Sequence, residues 1–282
     1  VSIPPKIDGY GYDDAWNRAT AYGGFLQREP TEGAESTEKT EIKVVYDDEA
    51  LYFFLMMLDS EPAKIVRRLA RRDNLIESDY VSIRIDCYHD HQTGAEFTIN
   101  ASGTKVDFLQ YDDATREDAS WDPVWDVQTR VVADGWCAEV KIPFRILRYD
   151  VDNSTWGINV LRRISRKNEY DYWTFIPRSA NGFISLFGHL EGLEHLPSPA
   201  HAEVLPYTVA SGLFQPQTSS RVRQNEFHPN AGFDAKYGLK SNFTVDLTVN
   251  PDFGQVEADP EVLNLTTFET FYPEKRPFFI EG

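Results

Sequence analysis

Cysteine is scarce in this chain: 282 residues hold two, and methionine is equally rare. Cys87 falls in DYVSIRIDC, where Val81, Ile83, Ile85 and Cys87 share one strand face. Cys137, in GWCAEVKIP, sides with Glu139 and Lys141. One thiol therefore points to a core and the other outward, which disfavours a disulfide between them. So few cysteines leave the redox compartment open. Apolar runs of roughly 18 or more residues are missing, so no transmembrane helix is expected. Basic surplus is missing too: 28 Lys and Arg face 45 Asp and Glu, a net charge of -17. That excludes nucleic-acid binding, which needs cations to replace phosphate counterions, and suits a well-solvated surface, cation binding or a salty environment. The opening VSIPPKIDG lacks a basic n-region and an apolar h-region, so a signal peptide is presumed already removed. No tandem repeat, G-x-S-x-G, P-loop, H-E-x-x-H, G-x-G-x-x-G or EF-hand spacing is found.

What is present is strand. Hydrophobic residues at 41% and aromatics at 13% argue against disorder, and the length suits one large or two ordinary domains. EIKVVYDDEALYFFLMMLD reads as a hairpin turning at Asp47-Asp48-Glu49. DYVSIRIDCYHD alternates, and GAEFTINASGTKVDFLQYDD reads as two strands around Ala101-Ser102-Gly103. WDVQTRVVADGWCAEVKIP turns at Ala133-Asp134-Gly135, with Asp-Gly a strong turn signal. TWGINVLRRISRKNEYDYWTFIP turns near Arg166-Lys167-Asn168. PAKIVRRLARRD puts Ile65 and Leu69 on one face and predicts a helix; PFRILRYD predicts a shorter one. The polar, acidic stretch 30–41 reads as a surface loop. Many short antiparallel strands and few helices predict an all-β fold, an antiparallel β-sandwich over residues 1–198. Pro197 and Pro199 mark the boundary, and residues 199–282 form a smaller β-rich extension. There AGFDAKYGL aligns Phe233, Ala235, Tyr237 and Leu239 on one face, and NFTVDLTVN aligns Phe243, Val245, Leu247 and Val249. This fits an ordinary half-buried hairpin, and also the apolar-out, polar-in hairpin of an outer-membrane barrel.

Several landmarks carry a resemblance. KIDGYGYDDAW resembles the opening of family 9 carbohydrate-binding modules. VVYDDEALYFFLMMLD, SDYVSIRID, GWCAEVKIPFRIL and WGINVLRRISRKNE resemble their later landmarks in matching order. RRDN, DCYHDHQTGAEFTINASGTKVD, WDPVWD, PYTV and above all NPDFGQVEADPEVLNLTTFETFYPEKRPFFIEG are similar to large bacterial proteins in which such a module precedes a domain expected to form an outer-membrane β-barrel. The resemblance covers essentially the whole chain. It implies a bacterial cell-envelope, outer-membrane or exported location. It also implies that this chain is the N-terminal part of a longer one, or a truncated relative. Phe278 and Phe279 are then expected to bury against the sandwich or a neighbouring chain.

Modules of this kind stack pyranose rings on exposed aromatics, because the C–H face of a sugar meets the negative face of the ring. The candidates here are Trp121, Trp125 and Trp173, with Tyr172 and Tyr88 behind them. Trp16, Trp136 and Trp156 are assigned to the core. Trp121 and Trp125, four apart around Asp122-Pro123, either display both rings or anchor their loop. Trp173 follows Tyr172, so one of the two must face outward. The chain departs from the family's sugar clamp. The stretch ahead of Asp79 holds no Trp, and the strand position that carries Glu in glucan binders is Ser82. The aromatic sandwich is therefore expected to be incomplete. Structural calcium is implied by the resemblance, with Asp86, Asp90, Asp112 and Asp113 as ligands; solvated turn acids are the alternative. His89-Asp90-His91 offers zinc ligands, but neighbours on a strand point to opposite faces, which disfavours zinc. Arg162 and Arg163 lie on opposite faces, one expected to be buried against Glu139 or Glu169. They suit an anion or uronic-acid site, or else intramolecular ion pairs. The expected role is non-catalytic glycan or surface-ligand binding, with a barrel domain or self-association through the C-terminal segment as further partners. A structural interaction module that has lost sugar binding is the alternative, and a glycoside-acting enzyme the third reading.

Overall fold

The computed structural model describes residues 1–197, 202–214, 225–239 and 243–250. The chain divides into two units, Val1–Pro199 and Ala200–Gly282.

The first unit is a sandwich of two antiparallel sheets. The four-stranded sheet runs β2 (Thr40–Tyr46), β3 (Ala50–Leu58), β9 (Gly135–Pro143), β8 (Asp126–Val132). The eight-stranded sheet runs β1 (Leu26–Glu29), β11 (Glu169–Tyr172), β10 (Thr155–Ile164), β4 (Tyr80–Asp86), β5 (Gly94–Asn100), β6 (Lys105–Tyr111), β7 (Arg116–Asp118). Its last member, β12 (Gly188–Glu191), pairs with the start of β10. All the turns read from the sequence connect strands as expected, and the loop ahead of β2 is surface.

Alternation decides what lies inside. Leu51, Phe53, Leu55 and Met57 of β3 and Ala138, Val140 and Ile142 of β9 meet Val81, Ile83 and Ile85 of β4, Phe97 and Ile99 of β5, and Ile158 and Val160 of β10. Burying one such large side chain contributes about 1.5–3 kcal/mol. Trp16, Trp136 and Trp156 are fully buried, as assigned. The two cysteines are free. Cys137 does leave the main core, but the N-terminal segment covers it, and its Sγ meets Gly9 O at 3.3 Å.

That segment is held by one carboxylate. Glu139, mid-strand on β9 and fully buried, accepts from Asp8 N at 2.9 Å, Gly9 N at 2.6 Å, Gly11 N at 3.0 Å and Trp16 Nε1 at 2.9 Å. The Ile-Asp-Gly opening is thus the wrapping of backbone N–H groups around this acid. Gly11 has φ +67°, and a Cβ there would meet the Phe54 ring at 2.4 Å, so only glycine fits. The short helix α1 (Asp14–Arg18), not anticipated from the sequence, then lays Trp16 and Ala15 against the same sheet.

The helix expected over PAKIVRRLARRD does not form. A 3-10 turn over Pro62–Lys64 is followed by irregular backbone. Leu69 is 78% exposed, so the supposed apolar stripe has no partner beyond Ile65. The sandwich rim takes the backbone groups instead: Asp79 N donates to Val66 O, Arg68 N to Ser78 Oγ, Ala70 N to Thr104 Oγ1, and Asn100 Nδ2 to Arg68 O. PFRILRYD is shorter than a helix, a 3-10 turn over Phe144–Ile146.

In the second unit β13 (Ala202–Phe214), β14 (Asn225–Leu239) and β15 (Phe243–Val249) form an antiparallel sheet. Register aligns Val204, Ala235 and Leu247 across one face. Val204, Tyr237, Val245, Leu247 and Val249 on that face are exposed, while Asp234 and Lys236 on the other are buried. Thr248 Oγ1 donates to Asp234 at 2.9 Å. The expected burial of Phe278 and Phe279, and the long closing motif, fall outside the described residues.

Candidate functional site

The outward face of the eight-stranded sheet carries the chemistry. On β4 the residues between the core positions are Tyr80, Ser82, Arg84 and Asp86. Register sets Glu96 beside Arg84, Thr98 beside Ser82, and Asn159, Leu161 and Arg163 on the other flank. Tyr170 pairs with Arg163, and Tyr172 with Leu161.

A buried polar network sits at the centre. Arg84 Nε donates to Glu96 Oε2 at 2.7 Å; Ser82 Oγ and Thr98 Oγ1 donate to Glu96 Oε1 at 2.6 and 2.9 Å. Arg84 Nη1 and Gln110 Oε1 are shielded from solvent with no hydrogen-bond partner. Guanidinium groups alternate with rings around this network. Arg28 and Arg84 stand 5.6 and 5.9 Å from the Tyr172 ring centroid, and Arg163 stands 4.3 Å from that of Tyr170. Tyr80 and Tyr170 are half-exposed and Tyr172 is buried.

A segment after β11 folds back over part of this face. Ile176, Ile184 and Phe187 pack with Leu161 and Tyr172 as a second apolar cluster, and the Phe183 ring lies 4.8 Å from the Arg84 guanidinium. Asp113 latches it, accepting from Phe183 N at 2.9 Å, Ser185 N at 3.0 Å and Ser185 Oγ at 2.8 Å. Partial burial works against the ionised acid, but these donors outweigh it and hold the Asp113 carboxyl below its usual range. Three consecutive left-handed residues, Asp112, Asp113 and Ala114 with φ 52°, 56° and 65°, aim that carboxylate at the cap.

The residues singled out from the sequence divide accordingly. Arg163 belongs to the face, where its Nη2 meets Glu77 at 3.3 Å. Tyr172 belongs to it too, but at 5% exposed its ring supports arginines and cannot stack on a sugar. Arg162 points inward and is fully buried. It donates to Leu58 O at 2.7 Å, Lys39 O at 2.9 Å and Thr40 Oγ1 at 3.1 Å, tying the two sheets together. It is therefore no ligand residue, and neither Glu139 nor Glu169 pairs with it: Glu139 holds the N-terminal segment and Glu169 accepts from Thr37. The acids near it are Asp171, Asp59, Asp79 and Glu38. Trp125 is also no platform. It is 1% exposed, donates from Nε1 to Asp107 at 2.9 Å and packs edge-on to Phe97. Trp121 is half-buried against the same Phe97 ring. Trp173, beyond the end of β11, packs partly into the core and lies 5.8 Å from Tyr22. Tyr22 is 48% exposed and borders a cleft of ≈ 370 Å³ that Phe25, Leu26, Glu35, Ser36 and Lys39 help to line.

The four acids named for calcium turn to other donors. Asp86 is fully buried and accepts from His91 N at 2.9 Å and Asp90 N at 3.2 Å. Asp90 accepts from Gln92 N, Thr93 N and Thr93 Oγ1. Asp112 pairs with Arg116 at 3.2 Å, and Asp113 latches the cap. His89 and His91 lie in a loop rather than on a strand, with rings 4.6 Å apart and His189 5.0 Å from His89. Among the described residues no group of three or more His, Cys, Asp or Glu is placed to hold a metal ion, so these residues do not fit a calcium site.

Arg28, Arg84, Glu96, Tyr80, Tyr170 and Phe183 were not singled out from the sequence. The signal for two of them is the alternation of SDYVSIRID, whose polar face is Tyr80, Ser82 and Arg84.

The comparisons match this architecture. Residues 7–170 match the model of the carbohydrate family 9 binding domain-like family. The chain belongs to that family. Residues 199–282 match a domain of unknown function, DUF5916. A family 9 module from Caldicellulosiruptor kristjanssonii, solved with cellotriose, is 19% identical over 67% of this chain and 89% of its own, with a TM-score of 0.48. The same organism's module with glucose gives 18%, 67%, 91% and 0.48. A Bacteroides uniformis protein provisionally assigned to carbohydrate binding is 12% identical over 62% of this chain and 87% of its own, with a TM-score of 0.50, a likeness of fold. No curated protein matches the chain.

Proposed function

We propose that the first unit of this family 9 member is a non-catalytic saccharide-binding module whose site is the outward face of the eight-stranded sheet. The observation that carries this is the pair of half-exposed rings, Tyr80 and Tyr170, set among arginines beside a buried hydrogen-bonding network. Rings offer a stacking surface to a pyranose, and guanidinium groups offer forked donors to its hydroxyls. The carboxylates Glu77, Glu96 and Asp86 on this face are engaged by arginine, hydroxyl and backbone N–H donors, which suits binding rather than turnover. Glycan-array screening followed by calorimetry tests it. Binding should weaken about tenfold or more on Tyr170→Ala, consistent with the loss of one stacked ring. A blank array, or affinities unmoved by Tyr170→Ala and Tyr80→Ala, sinks the proposal. The interaction-module alternative draws on the cap: Phe183 and Ile184 cover part of the face a ligand would use.

We also infer that the second unit faces a membrane, which would put the protein at the bacterial outer membrane. On one face Val204, Tyr237, Val245, Leu247 and Val249 are exposed, and on the other Asp234 and Lys236 are buried beside exposed Leu205 and Asp246, which leans toward an apolar-out sheet. The strands β13 and β14, 13 and 15 residues long, exceed the roughly 9–11 needed to cross a bilayer. The full chain should float with phosphatidylcholine vesicles, and Val204→Glu with Leu247→Glu should abolish flotation. A chain that stays monodisperse and lipid-free in buffer would contradict this.

A further inference from the structure

We propose that the saccharide face selects anionic sugars, with uronate-containing chains as its ligand class; this rests on the binding reading above. The whole chain is strongly acidic at -17, yet this face and its rim concentrate arginine. Two guanidinium groups flank the same Tyr172 ring, Arg28 at 5.6 Å and Arg84 at 5.9 Å. Neither is fully used. Arg28 reaches the Tyr172 hydroxyl at 3.4 Å and has no carboxylate partner among the described residues. Arg84 spends Nε and Nη2 on Glu96 and leaves Nη1 shielded and unpaired. Arg28, a partly buried guanidinium with no carboxylate partner in a chain so rich in carboxylates, is the one suited to receive an anion.

The rim adds to this. The segment that fails to form a helix instead holds Arg67, Arg68 and Arg71 exposed. Its backbone is pinned to the outward-facing Asn100 and to Ser78, so Arg68 stands by Glu77 and Arg163 at the Tyr80 end of the face. The acids that offset these charges are Glu77, on Arg163, and Glu96, on Arg84; Glu117 lies further along, by Gln110. A uronate carboxylate presents the planar pair of oxygens that an arginine fork matches, while its ring retains the C–H face that stacks on tyrosine. Neutral sugars use the rings and meet the guanidinium groups through hydroxyls alone, a weaker contact than a carboxylate makes.

The test is calorimetry of the full chain with oligogalacturonides and with cello-oligosaccharides of equal length, at low and high salt. Oligogalacturonides should bind about tenfold tighter or better at low salt and lose most of that advantage at high salt. Arg28→Gln and Arg68→Gln should each weaken the uronate several-fold and the cello-oligosaccharide distinctly less. Arg68 is exposed, and the Arg28 side chain holds only a long hydroxyl contact and a ring contact, both with Tyr172, so neither variant threatens the fold. Equal affinity for both sugars, or insensitivity to salt and to both variants, overturns the anionic selectivity while the binding reading stands. No affinity for either sugar, with a blank array, overturns both.

Discussion

At the scale of single residues, the family's sequence landmarks are acids and glycines working for structure. Glu139 sits inside a shell of four donors, so Glu139→Ala should leave three backbone N–H groups and an indole unpaired. A loss of about 3–5 kcal/mol in denaturant titration is expected, with the slope unchanged. Asp171 is the opposite kind of acid. Its oxygens are shielded without hydrogen-bond partners, and burial followed by the neighbouring Glu169 carboxyl pushes it up to about 8. In the unfolded chain it would ionise near pH 4. The folded protein alone therefore keeps that proton between about pH 4 and 8, and stability falls as pH rises through this window. Asp171→Asn should remove that slope: melting temperatures of the variant stay flatter from pH 5 to 8 and exceed those of the parent at the upper end. Glu38 runs the other way. Burial opposes its charge, but Lys167 and Ser60 overcome it and hold it at about 2, so its contribution is lost only as pH drops from its unfolded value toward 2.

At the scale of elements, alternation in the strands was enough to fix hairpins, turns and inward faces, because one face of each strand is paired with a core. It was not enough to fix the site. Arg84 meets Glu96 only because β4 and β5 pair in a particular register, and Phe183 meets Arg84 only because a long irregular segment returns across the sheet. Neither follows from local pattern. Trp125 misled for a related reason: its spacing from Trp121 spoke of a shared loop but not of Asp107, the buried acceptor that draws the indole inward. The failed helix shows the same limit, since propensity lost to hydrogen bonds offered by Asn100 at the end of β5 and by Ser78 and Thr104 in the turns beside β4 and β6. The cap can be tested as an element. Asp113→Ala removes three hydrogen bonds to residues 183–185, and amide exchange there should quicken about tenfold or more while the global melting temperature barely moves.

At the scale of the whole molecule, the apolar clusters of the first unit, among the described residues, run from Ile7 to Leu196. A fragment of residues 1–198 should therefore unfold cooperatively, within a few degrees of the corresponding transition in the full chain, by calorimetry. A fragment that melts broadly, or far lower, would show that the sandwich depends on the second unit. The two units also divide the solvent between them. One hides its hydrocarbon between sheets and shows charge. The other, among its described residues, shows hydrocarbon on the Val204 face and buries Asp234 and Lys236.

Gly94, on the floor of the capped face, gives this arrangement a practical edge. A Cβ at that position would sit 3.3 Å from Ile184 Cδ1, closer than such atoms normally approach. The clearance between floor and cap thus falls a few tenths of an ångström short of one methyl group. Gly94→Ala would act as a shim, prising the cap from the sheet without altering a tyrosine or an arginine. If the cap screens the ligand surface, that single carbon should uncover it; if the cap is part of the surface, the same carbon should spoil it. The protein carries, in a missing methyl, the means of telling a lid from a wall.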